Sequence, residues 1–304
     1  MENIYTTWAL FLMVSLYNPL FSTPTMAGST DIVVFSYDRP MQLFAFLESV
    51  KTYIKGTGNI FVLMRASNDH YARAYQEVYK KFSDVIVSTQ NNATAHSDFK
   101  PILCDIVENK SRQDYIVFAT DDIIICDDVD LQDCVKHLEN TKATGFYLRL
   151  GKNITAHYIA NKTNVPLPAF QPIAPGILKW QFNETARPWS YPNSVDMTVF
   201  KKAYPLTAIK KLAYKAPNSF EREWHNKPRN RKACGLCYEH SKIVNIPLNL
   251  VQTEDTQNKN MALFSADDLL KLFNAGFRID IKKLHQFDNN SVHSPYEPSF
   301  IKHN

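Results

Sequence analysis

The sequence predicts an α/β fold in which helices flank a mostly parallel sheet, followed by an irregular region of mixed α/β structure. Four strand-like apolar runs alternate with helix-like patterns between residues 31 and 140, an order that builds a parallel sheet with helices on both faces. Six prolines between residues 164 and 192 exclude a long helix or a central strand there. We therefore expect one domain with two unlike halves, residues 31–143 and 144–304.

The strands of the first half are predicted from continuous apolar runs, which are typical of strands buried on both faces. These runs lie at residues 31–36, 59–64, 84–88 and 115–119. The second half has shorter apolar runs separated by irregular loops. Short strands are expected there at residues 144–150, 177–182, 194–201 and 242–246.

The first two helices are predicted from apolar residues at helical spacing and from residues that begin a helix. Pro40 opens the first helix, because proline fits the first helical position. Asn68 or Asp69 caps the second, since a short polar side chain can accept the free N–H groups of the first turn.

Three further helices follow from the same reasoning. One is expected over residues 97–109 with Ser97 as its cap, and one over residues 130–140. In the second half, a capping box at Ser265 starts a helix that ends at Gly276.

The composition excludes several classes of protein. Eight glycines in 304 residues are under half of the usual share of about 7%. Neither a GxGxxG nor a GxxxxGK[ST] phosphate-binding motif occurs, and the GxSxG and HExxH motifs of hydrolases and zinc proteases are absent. A formal net charge of +4 is too small to indicate nucleic-acid binding.

The N-terminal segment has the pattern of a targeting signal. Residues 8–17 form an apolar run, and residues 25–27 resemble a cleavage site. The run is shorter than the roughly 20 residues that span a bilayer. We expect residues 1–27 to be a signal peptide or an anchor, which gives a secretory or membrane-associated location. If Met26 is the true start instead, the protein is cytoplasmic.

Two cysteines suggest a second kind of site. Cys234 and Cys237, followed by His240, have zinc-like spacing, and His225 is a conceivable fourth ligand. With the basic run at residues 227–232, they would form a zinc-stabilised nucleic-acid binder. The alternatives for the cysteines are a loop disulfide or two free thiols.

Asp121 and Asp122 directly follow the fourth predicted strand. Ligands of open α/β sheets bind beyond the carboxyl ends of the strands. Two carboxylates at this position suit Mg²⁺ or Mn²⁺, whose remaining ligands would be phosphate oxygens. The alternative is a turn and helix cap, a role that the second pair, Asp127 and Asp128, with Asp130, suits better because it lies nearer the fourth helix.

Two segments resemble a known family. The segment Ser36-Tyr37-Asp38-Arg39-Pro40 joins the first strand to the first helix, and Thr120-Asp121-Asp122 ends the fourth strand. Together they resemble the nucleotide-sugar half of GT-A-fold glycosyltransferases, nearest a family 2-like, uncharacterised bacterial branch. Segments 147–155, 189–196, 216–221 and 244–249 extend the resemblance over residues 31–300. The chain departs from the family pattern because Asp38 replaces Asn and the first carboxylate of the DxD motif is missing.

The resemblance implies transfer of a sugar from a nucleoside diphosphate sugar to an acceptor hydroxyl, assisted by a divalent metal (Mn or Mg). Residues 31–143 would bind the nucleotide sugar, and residues 144–304 would bind a carbohydrate or glycan acceptor. The expected partners include no nucleic acid, and membrane association would occur through the N-terminus.

Site residues follow by position in the family pattern. The expected nucleotide-binding residues are Ser36, Tyr37, Arg39, Arg65 and Lys100. Each of them could equally be an ordinary surface residue, and Arg39 could instead form a local salt bridge. The expected metal ligands are Asp121, Asp122 and His225. Asp196 and Glu221 are the candidate bases that deprotonate the acceptor, and Glu221 could instead be an ordinary residue at a helix N-terminus. Aromatic surface for the acceptor is expected from Trp189, Tyr191 and Trp224.

A different class of function remains open at this point. The incomplete DxD motif also fits a non-catalytic carbohydrate- or nucleotide-binding module that kept the fold and lost the chemistry. Release of nucleoside diphosphate from the donor distinguishes the enzyme from this module.

Overall fold

The computed structural model describes residues 29–182, 186–227, 233–251 and 263–302. The predicted signal peptide or anchor at residues 1–27 lies outside these ranges, as does most of the basic run at 227–232. No helix within the described ranges combines the length and the apolar character that crossing a membrane requires.

The first half has the predicted alternation of strands and helices. Its strands are β1 (Thr30–Tyr37), β2 (Ile54–Lys55), β3 (Thr57–Arg65), β4 (Ile86–Thr89), β5 (Tyr115–Thr120), β6 (Ile123–Ile125) and β7 (Val129–Asp130). Its helices are α1 (Pro40–Tyr53), α2 (Asp69–Lys81), α3 (Ala95–Asp105) and α4 (Leu131–Thr141). A π-helical turn, Ile106–Lys110, continues α3.

The second half consists of shorter elements between loops. Its strands are β8 (Phe146–Tyr147), β9 (Gln171–Ala174), β10 (Ile177–Gln181), β11 (Thr198–Lys201), β12 (Cys234–Tyr238), β13 (Ile243–Asn245), β14 (Phe277–Ile279) and β15 (Phe300–Lys302). Its helices are α5 (Ala203–Lys211), α6 (Pro217–His225) and α7 (Ala266–Asn274).

A nine-stranded sheet joins the two halves, with the strand order β4-β3-β1-β5-β11-β8-β12-β10-β9. The strands β4, β3, β1 and β5 are parallel to their neighbours. The strand β11 then pairs antiparallel to β5 and continues the sheet into the second half. The predicted fold class is therefore confirmed, and the sequence did not foresee that the second half would extend the same sheet.

The core lies on both faces of the parallel strands. In β1, Ile32 and Val34 pack in the cluster that includes α1 and α2, whereas Val33 and Phe35 pack with α3 and α6 on the other face. Both faces are thus covered, which explains why the strand is apolar throughout rather than alternating.

Most of the predicted helix starts are confirmed. Pro40 occupies the first position of α1. The Asn68 side chain accepts the backbone N–H groups of His70 and Tyr71 at the start of α2. Asp130 caps α4, and Ser265 forms a capping box with Asp268 at α7.

Two features of the helices differ from the prediction. The third helix begins at Ala95, two residues before the predicted cap Ser97, and Ser97 lies within its first turn. The sequence analysis did not predict α5, and it offered a helix at α6 only as the alternative role of Glu221, because the second half has little regular spacing. Helix α6 matters most for function because it carries Glu221.

Candidate functional site

A cavity of about 400 Å³ lies at the carboxyl ends of β1, β3 and β5. This is the edge at which open α/β sheets bind their ligands. Tyr37, Arg65 and Thr120 end these strands and form part of its wall. The facing wall comes from the second half, through residues 195–196 and helix α6.

Arg39 forms hydrogen bonds with both of the adjacent carboxylates that follow β5, Asp121 and Asp122. Its Nη1 donates hydrogen bonds to Asp121 Oδ1 and to Asp122 Oδ2, each at 3.1 Å. The side chain of Arg39 is only 10% exposed. The salt bridge that the sequence left open therefore exists, but its carboxylates lie in the turn between β5 and β6, more than 80 residues along the chain.

A buried hydrogen-bonded chain supports Asp121 from β1 and α2. The Ser36 hydroxyl donates to Asp121 Oδ2 at 2.7 Å, and it lies 2.6 Å from the hydroxyl of Tyr75. The backbone N–H of Arg39 donates to the same Tyr75 oxygen at 3.0 Å. Ser36 therefore lines the cavity with its hydroxyl engaged by Asp121, and its role in nucleotide binding stays a prediction.

The protonation of this cluster follows from burial and charge. Burial raises the pKa of Asp121 to about 6, although the nearby Arg39 guanidinium acts in the opposite direction. For Arg39, burial alone would lower the pKa, but the two carboxylates outweigh it and the pKa is raised. Arg39 is thus firmly cationic.

Two asparagines from the second half complete the cluster. The strand β13 pairs with β6, which places Asn245 opposite Ile123. The Asn245 amide donates to Asp122 Oδ1 at 3.0 Å. The side-chain oxygen of Asn249 accepts from Arg39 Nε at 2.8 Å, and its carbonyl accepts from Nη2. The sequence analysis matched residues 244–249 to the family but assigned them no role.

Tyr37 and Arg65 lie side by side where β1 and β3 end, because they are partners in the parallel register. The guanidinium carbon of Arg65 lies 4.7 Å from the centre of the Tyr37 ring. Arg65 Nε also donates to Asn92 at 2.9 Å. Both residues line the cavity where the sequence placed them, and they offer an aromatic face and a cation.

Glu221 and Asp196 line the facing wall of the cavity. Glu221 Oε1 accepts the backbone N–H of Val195 at 2.9 Å, so the glutamate holds the loop that carries Asp196. Burial and the neighbouring Asp196 carboxylate raise the pKa of Glu221 to about 7. Met197, which follows Asp196 in the chain, has a φ of 50°, a left-handed conformation that is strained for a non-glycine residue.

Lys100 does not reach the cavity, so its predicted role at the diphosphate is wrong. Its ammonium donates to the carbonyls of Lys210 and Leu212, at 3.1 and 2.7 Å. These carbonyls end helix α5, where a cation is favoured by the helix dipole. Lys215 lies on the cavity wall instead, a position that sequence reasoning missed.

The predicted aromatic acceptor surface is wrong for both tryptophans. Trp189 is fully buried in the core around β10, and Trp224 is 3% exposed between α6 and the sheet. Neither ring can stack on a sugar. Tyr191 is partly exposed and stacks on His225 at 3.9 Å between ring centres. The carboxylates of Glu221 and Asp196 help to raise the pKa of Tyr191, as does its burial.

The described residues contain no group of three or more His, Cys, Asp or Glu side chains that could hold a metal ion. His225 therefore does not join Asp121 and Asp122, and its predicted role as third ligand is wrong. The zinc site at Cys234, Cys237 and His240 is wrong for the same reason. The cysteines are free thiols, as one alternative predicted, and Cys237 is buried in the core.

Several cavity residues were not predicted at all. They are Gln90, His96, Lys215, Asn218, Asn245, Asn249 and His293. The segments 216–221 and 244–249 carried a usable signal, since both were matched to the family pattern. Of the others, His96 lies in the first turn of α3, and Gln90, Lys215 and His293 lie in loops whose position depends on the whole fold.

A parallel sheet with a carboxylate-containing cavity at its strand ends is the arrangement expected of the GT-A glycosyltransferase class. No protein-family model matches the chain. A curated relative is the bifunctional glycosyltransferase pgtA of Dictyostelium discoideum, which is 27% identical over 191 residues. The match covers 56% of this chain and 23% of that protein.

Solved structures that resemble the chain include TarS of S. aureus and the mannosyltransferase PcManGT of Pyrobaculum calidifontis. TarS of S. aureus, solved in complex with UDP, gives a TM-score of 0.43 at 14% identity, over 69% of this chain and 58% of that one. The mannosyltransferase PcManGT of Pyrobaculum calidifontis, in complex with GDP-Man and Mn²⁺, gives 0.36 at 11% identity, over 70% and 57%. The chain spans under a quarter of the curated relative and under two thirds of these solved chains. The curated relative confirms the predicted resemblance to glycosyltransferases, and the family 2-like bacterial branch stays a prediction.

Proposed function

We propose that this chain is a glycosyltransferase that moves a sugar from a nucleoside diphosphate sugar to an acceptor hydroxyl. The observation that carries the proposal is a single cavity with two unlike walls. One wall, at the ends of β1 and β3, offers an aromatic ring and a guanidinium. The other wall offers two carboxylates, Asp196 and Glu221, which are suited to proton transfer.

The wall at the ends of β1 and β3 suits a nucleotide. The Tyr37 ring can stack on a base, and the positive charge of Arg65 can pair with phosphate oxygens. Lys215 and His96 also line the cavity and add cationic or polar donors. The solved TarS structures hold UDP or UDP-GlcNAc and the PcManGT structure holds GDP-Man, so UDP and GDP are the nucleotides to test first.

The facing wall suits deprotonation of the acceptor. The acceptor oxygen would attack the anomeric carbon as the bond from that carbon to the diphosphate oxygen breaks. Asp196 is the base in this proposal, and it would take the hydroxyl proton. Glu221 holds the Val195 N–H at 2.9 Å and fixes the loop on which Asp196 lies.

The divalent ion implied by the resemblance does not fit the residues as they lie. Arg39 stands between Asp121 and Asp122, and each of the four carboxylate oxygens accepts a hydrogen bond from the protein. His225 lies elsewhere. We therefore derive the proposed reaction from the chain's own residues, with no step that passes through a metal.

The first test of the proposal is binding of UDP and GDP to the wild-type protein, measured by calorimetry and by thermal shift. A nucleotide present at 100 times its Kd should stabilise the fold by about 2.7 kcal/mol. Arg65→Ala and Tyr37→Ala should weaken binding, whereas Arg278→Ala, at an arginine paired with Glu48 outside the cavity, should not.

The second test separates the enzyme from a non-catalytic module. Asp196→Asn should bind the nucleotide normally and release no nucleoside diphosphate from a donor sugar. A wild-type protein that binds UDP or GDP but turns over no donor with any acceptor would favour the binding module. Failure of both nucleotides to bind would refute the proposal.

A further inference from the structure

The floor of the cavity contains a cation that belongs to the protein itself. Arg39 Nη1 lies 3.1 Å from an oxygen of Asp121 and 3.1 Å from an oxygen of Asp122. This nitrogen occupies the point that both carboxylates share. A metal ion bridging the two carboxylates would need the same space.

The carboxylate oxygens are already supplied with donors. Asp121 accepts from Ser36 at 2.7 Å and from Arg39, and Asp122 accepts from Asn245 at 3.0 Å and from Arg39. Buried carboxylates are stable only when they are paired or hydrogen-bonded in this way. The cluster is therefore complete with the arginine in place.

Arg39 is also held from the side opposite the carboxylates. Asn249 accepts from its Nε at 2.8 Å and from its Nη2, and Gln42 donates to the same asparagine at 3.3 Å. The backbone N–H of Arg39 donates to Tyr75. Moving the guanidinium aside would break its two hydrogen bonds to Asn249 and leave two buried carboxylates without a cation, which is strongly unfavourable.

The charges make coexistence with a bridging metal ion unfavourable. A second cation beside Arg39 would meet a like charge at close range. In water, the repulsion between two unit charges about 4 Å apart lowers a binding constant about fivefold. At an effective dielectric constant of 20, it lowers the binding constant about 1000-fold. The repulsion therefore lowers the affinity of this position for any divalent ion.

We propose that Arg39 is the resident cation of this site, which takes the place of a divalent ion between Asp121 and Asp122. A nucleoside diphosphate then binds without a divalent metal, and among the described residues of the cavity wall Arg65 and Lys215 are the further cations that can meet its phosphates. The first statement concerns the protein alone, and the second rests on the proposed function.

The first experiment is a titration of the wild-type protein with Mn²⁺ alone, in which electron paramagnetic resonance reports the free ion. The wild type and Asp122→Asn should bind Mn²⁺ equally, because neither protein has a Mn²⁺ site at Asp122. A stoichiometric Mn²⁺ site in the wild type that is lost in Asp122→Asn would overturn the proposal. This comparison decides the matter even if other variants fold poorly.

The second experiment unmasks the carboxylates. Arg39→Met, checked for folding by circular dichroism, should bind one Mn²⁺ at least about tenfold more tightly than the wild type, because the like charge is gone. Arg278→Met is the matched control, since it breaks an arginine–carboxylate pair outside the cavity and should gain no Mn²⁺ site. A folded Arg39→Met with no gain in Mn²⁺ affinity counts against the proposal.

The third experiment measures the affinity of the wild type for UDP and GDP with EDTA or with excess Mn²⁺. The Kd of whichever nucleotide binds should be the same under both conditions. Binding that requires Mn²⁺ overturns the proposal. If neither nucleotide binds under either condition, the proposed function has failed, while the Mn²⁺ titration still decides the role of Arg39.

Discussion

Replacing Glu221 by glutamine should stabilise the folded protein in alkaline solution and have little effect in acid. Glu221 lies on the cavity wall, where burial and the Asp196 carboxylate raise its pKa from an ordinary value of 4.5 to about 7. Glutamine has the shape of the protonated acid and keeps an oxygen that can accept the Val195 N–H. The substitution therefore removes the buried charge and keeps the hydrogen bond.

The direction and size of the effect follow from proton linkage. Between the two pKa values the folded state holds a proton that the unfolded chain has lost, so the stability of the wild type falls as the pH rises from 4.5 to about 7. Since one pKa unit corresponds to about 1.4 kcal/mol, the full loss is about 3 kcal/mol. Solvent at the cavity wall screens part of it, and we expect about 2 kcal/mol to remain.

The assay is urea unfolding of the wild type and of Glu221→Gln at about pH 4 and about pH 8. The free energies of unfolding should agree at the lower pH and differ by about 2 kcal/mol in favour of the variant at the higher pH. Glu77→Gln, at an exposed residue of α2, is the control and should change stability by less than about 0.5 kcal/mol at either pH.

A further variant tests the cause of the shift. Asp196→Asn removes the neighbouring charge, so the pKa of Glu221 should fall. The fall in the free energy of unfolding that accompanies ionisation of Glu221 should then be complete at a lower pH. The reasoning would be refuted if Glu221→Gln were equally stable or less stable than the wild type at about pH 8. It would also be refuted if the difference were the same at both pH values, because linkage requires a pH-dependent effect.

The other predictions concern residues that the structure removes from the site or places at helix ends. Lys100→Met should lower the free energy of unfolding by about 1 kcal/mol, because it loses two hydrogen bonds to the end of α5; calorimetry should find UDP and GDP affinity unchanged, and weaker binding would contradict its placement. Trp189→Ala should cost about 3–5 kcal/mol in urea unfolding, as expected of a fully buried ring; a loss of acceptor binding at unchanged stability would restore its sugar-binding role. Asn68→Ala should cost about 1 kcal/mol through loss of the α2 cap, and an unchanged melting temperature would contradict that assignment.

Features that depend on neighbouring residues could be predicted from the sequence. The apolar run that became β1 is buried on both faces, and burial of this kind dictates its composition. Pro40 and Asn68 act through their own backbone geometry and hydrogen bonds, so their effect is visible in a short stretch of chain.

Features that depend on distant contacts could not be predicted. Lys100 and the carbonyls that it caps are more than 100 residues apart, and nothing near Lys100 indicates a helix end. Trp189 and Trp224 lie close in sequence to the candidate bases Asp196 and Glu221. The second half has no helical or strand periodicity that would assign the two tryptophans to a buried face. Their position became clear only with the sheet order.

The pairing of Arg39 with Asp121 is an intermediate case. Both lie just beyond the carboxyl ends of parallel strands, and the backbone N–H of Asp121 donates to the carbonyl of Phe35 in β1. Any fold that places β1 beside β5 brings these residues together. The sequence shows that each residue ends a strand, but it does not contain the strand order, so their contact could not be predicted.

Asp31 shows why the surroundings of a buried carboxylate matter more than its burial. It lies at the opposite end of β1, is fully buried, and accepts the backbone N–H groups of Asn59 and Arg112 at 2.7 and 3.2 Å. A Cβ at Gly58 would collide with it, so the glycine is required there. Backbone donors fix Asp31 as part of the sheet. Asp121 is supplied instead by the side chains of Ser36 and Arg39, which lie beside it on the cavity floor. Backbone donors make Asp31 part of the sheet, whereas side-chain donors make Asp121 part of the candidate site, and a substitution at Ser36 or Arg39 changes its surroundings without altering the strand.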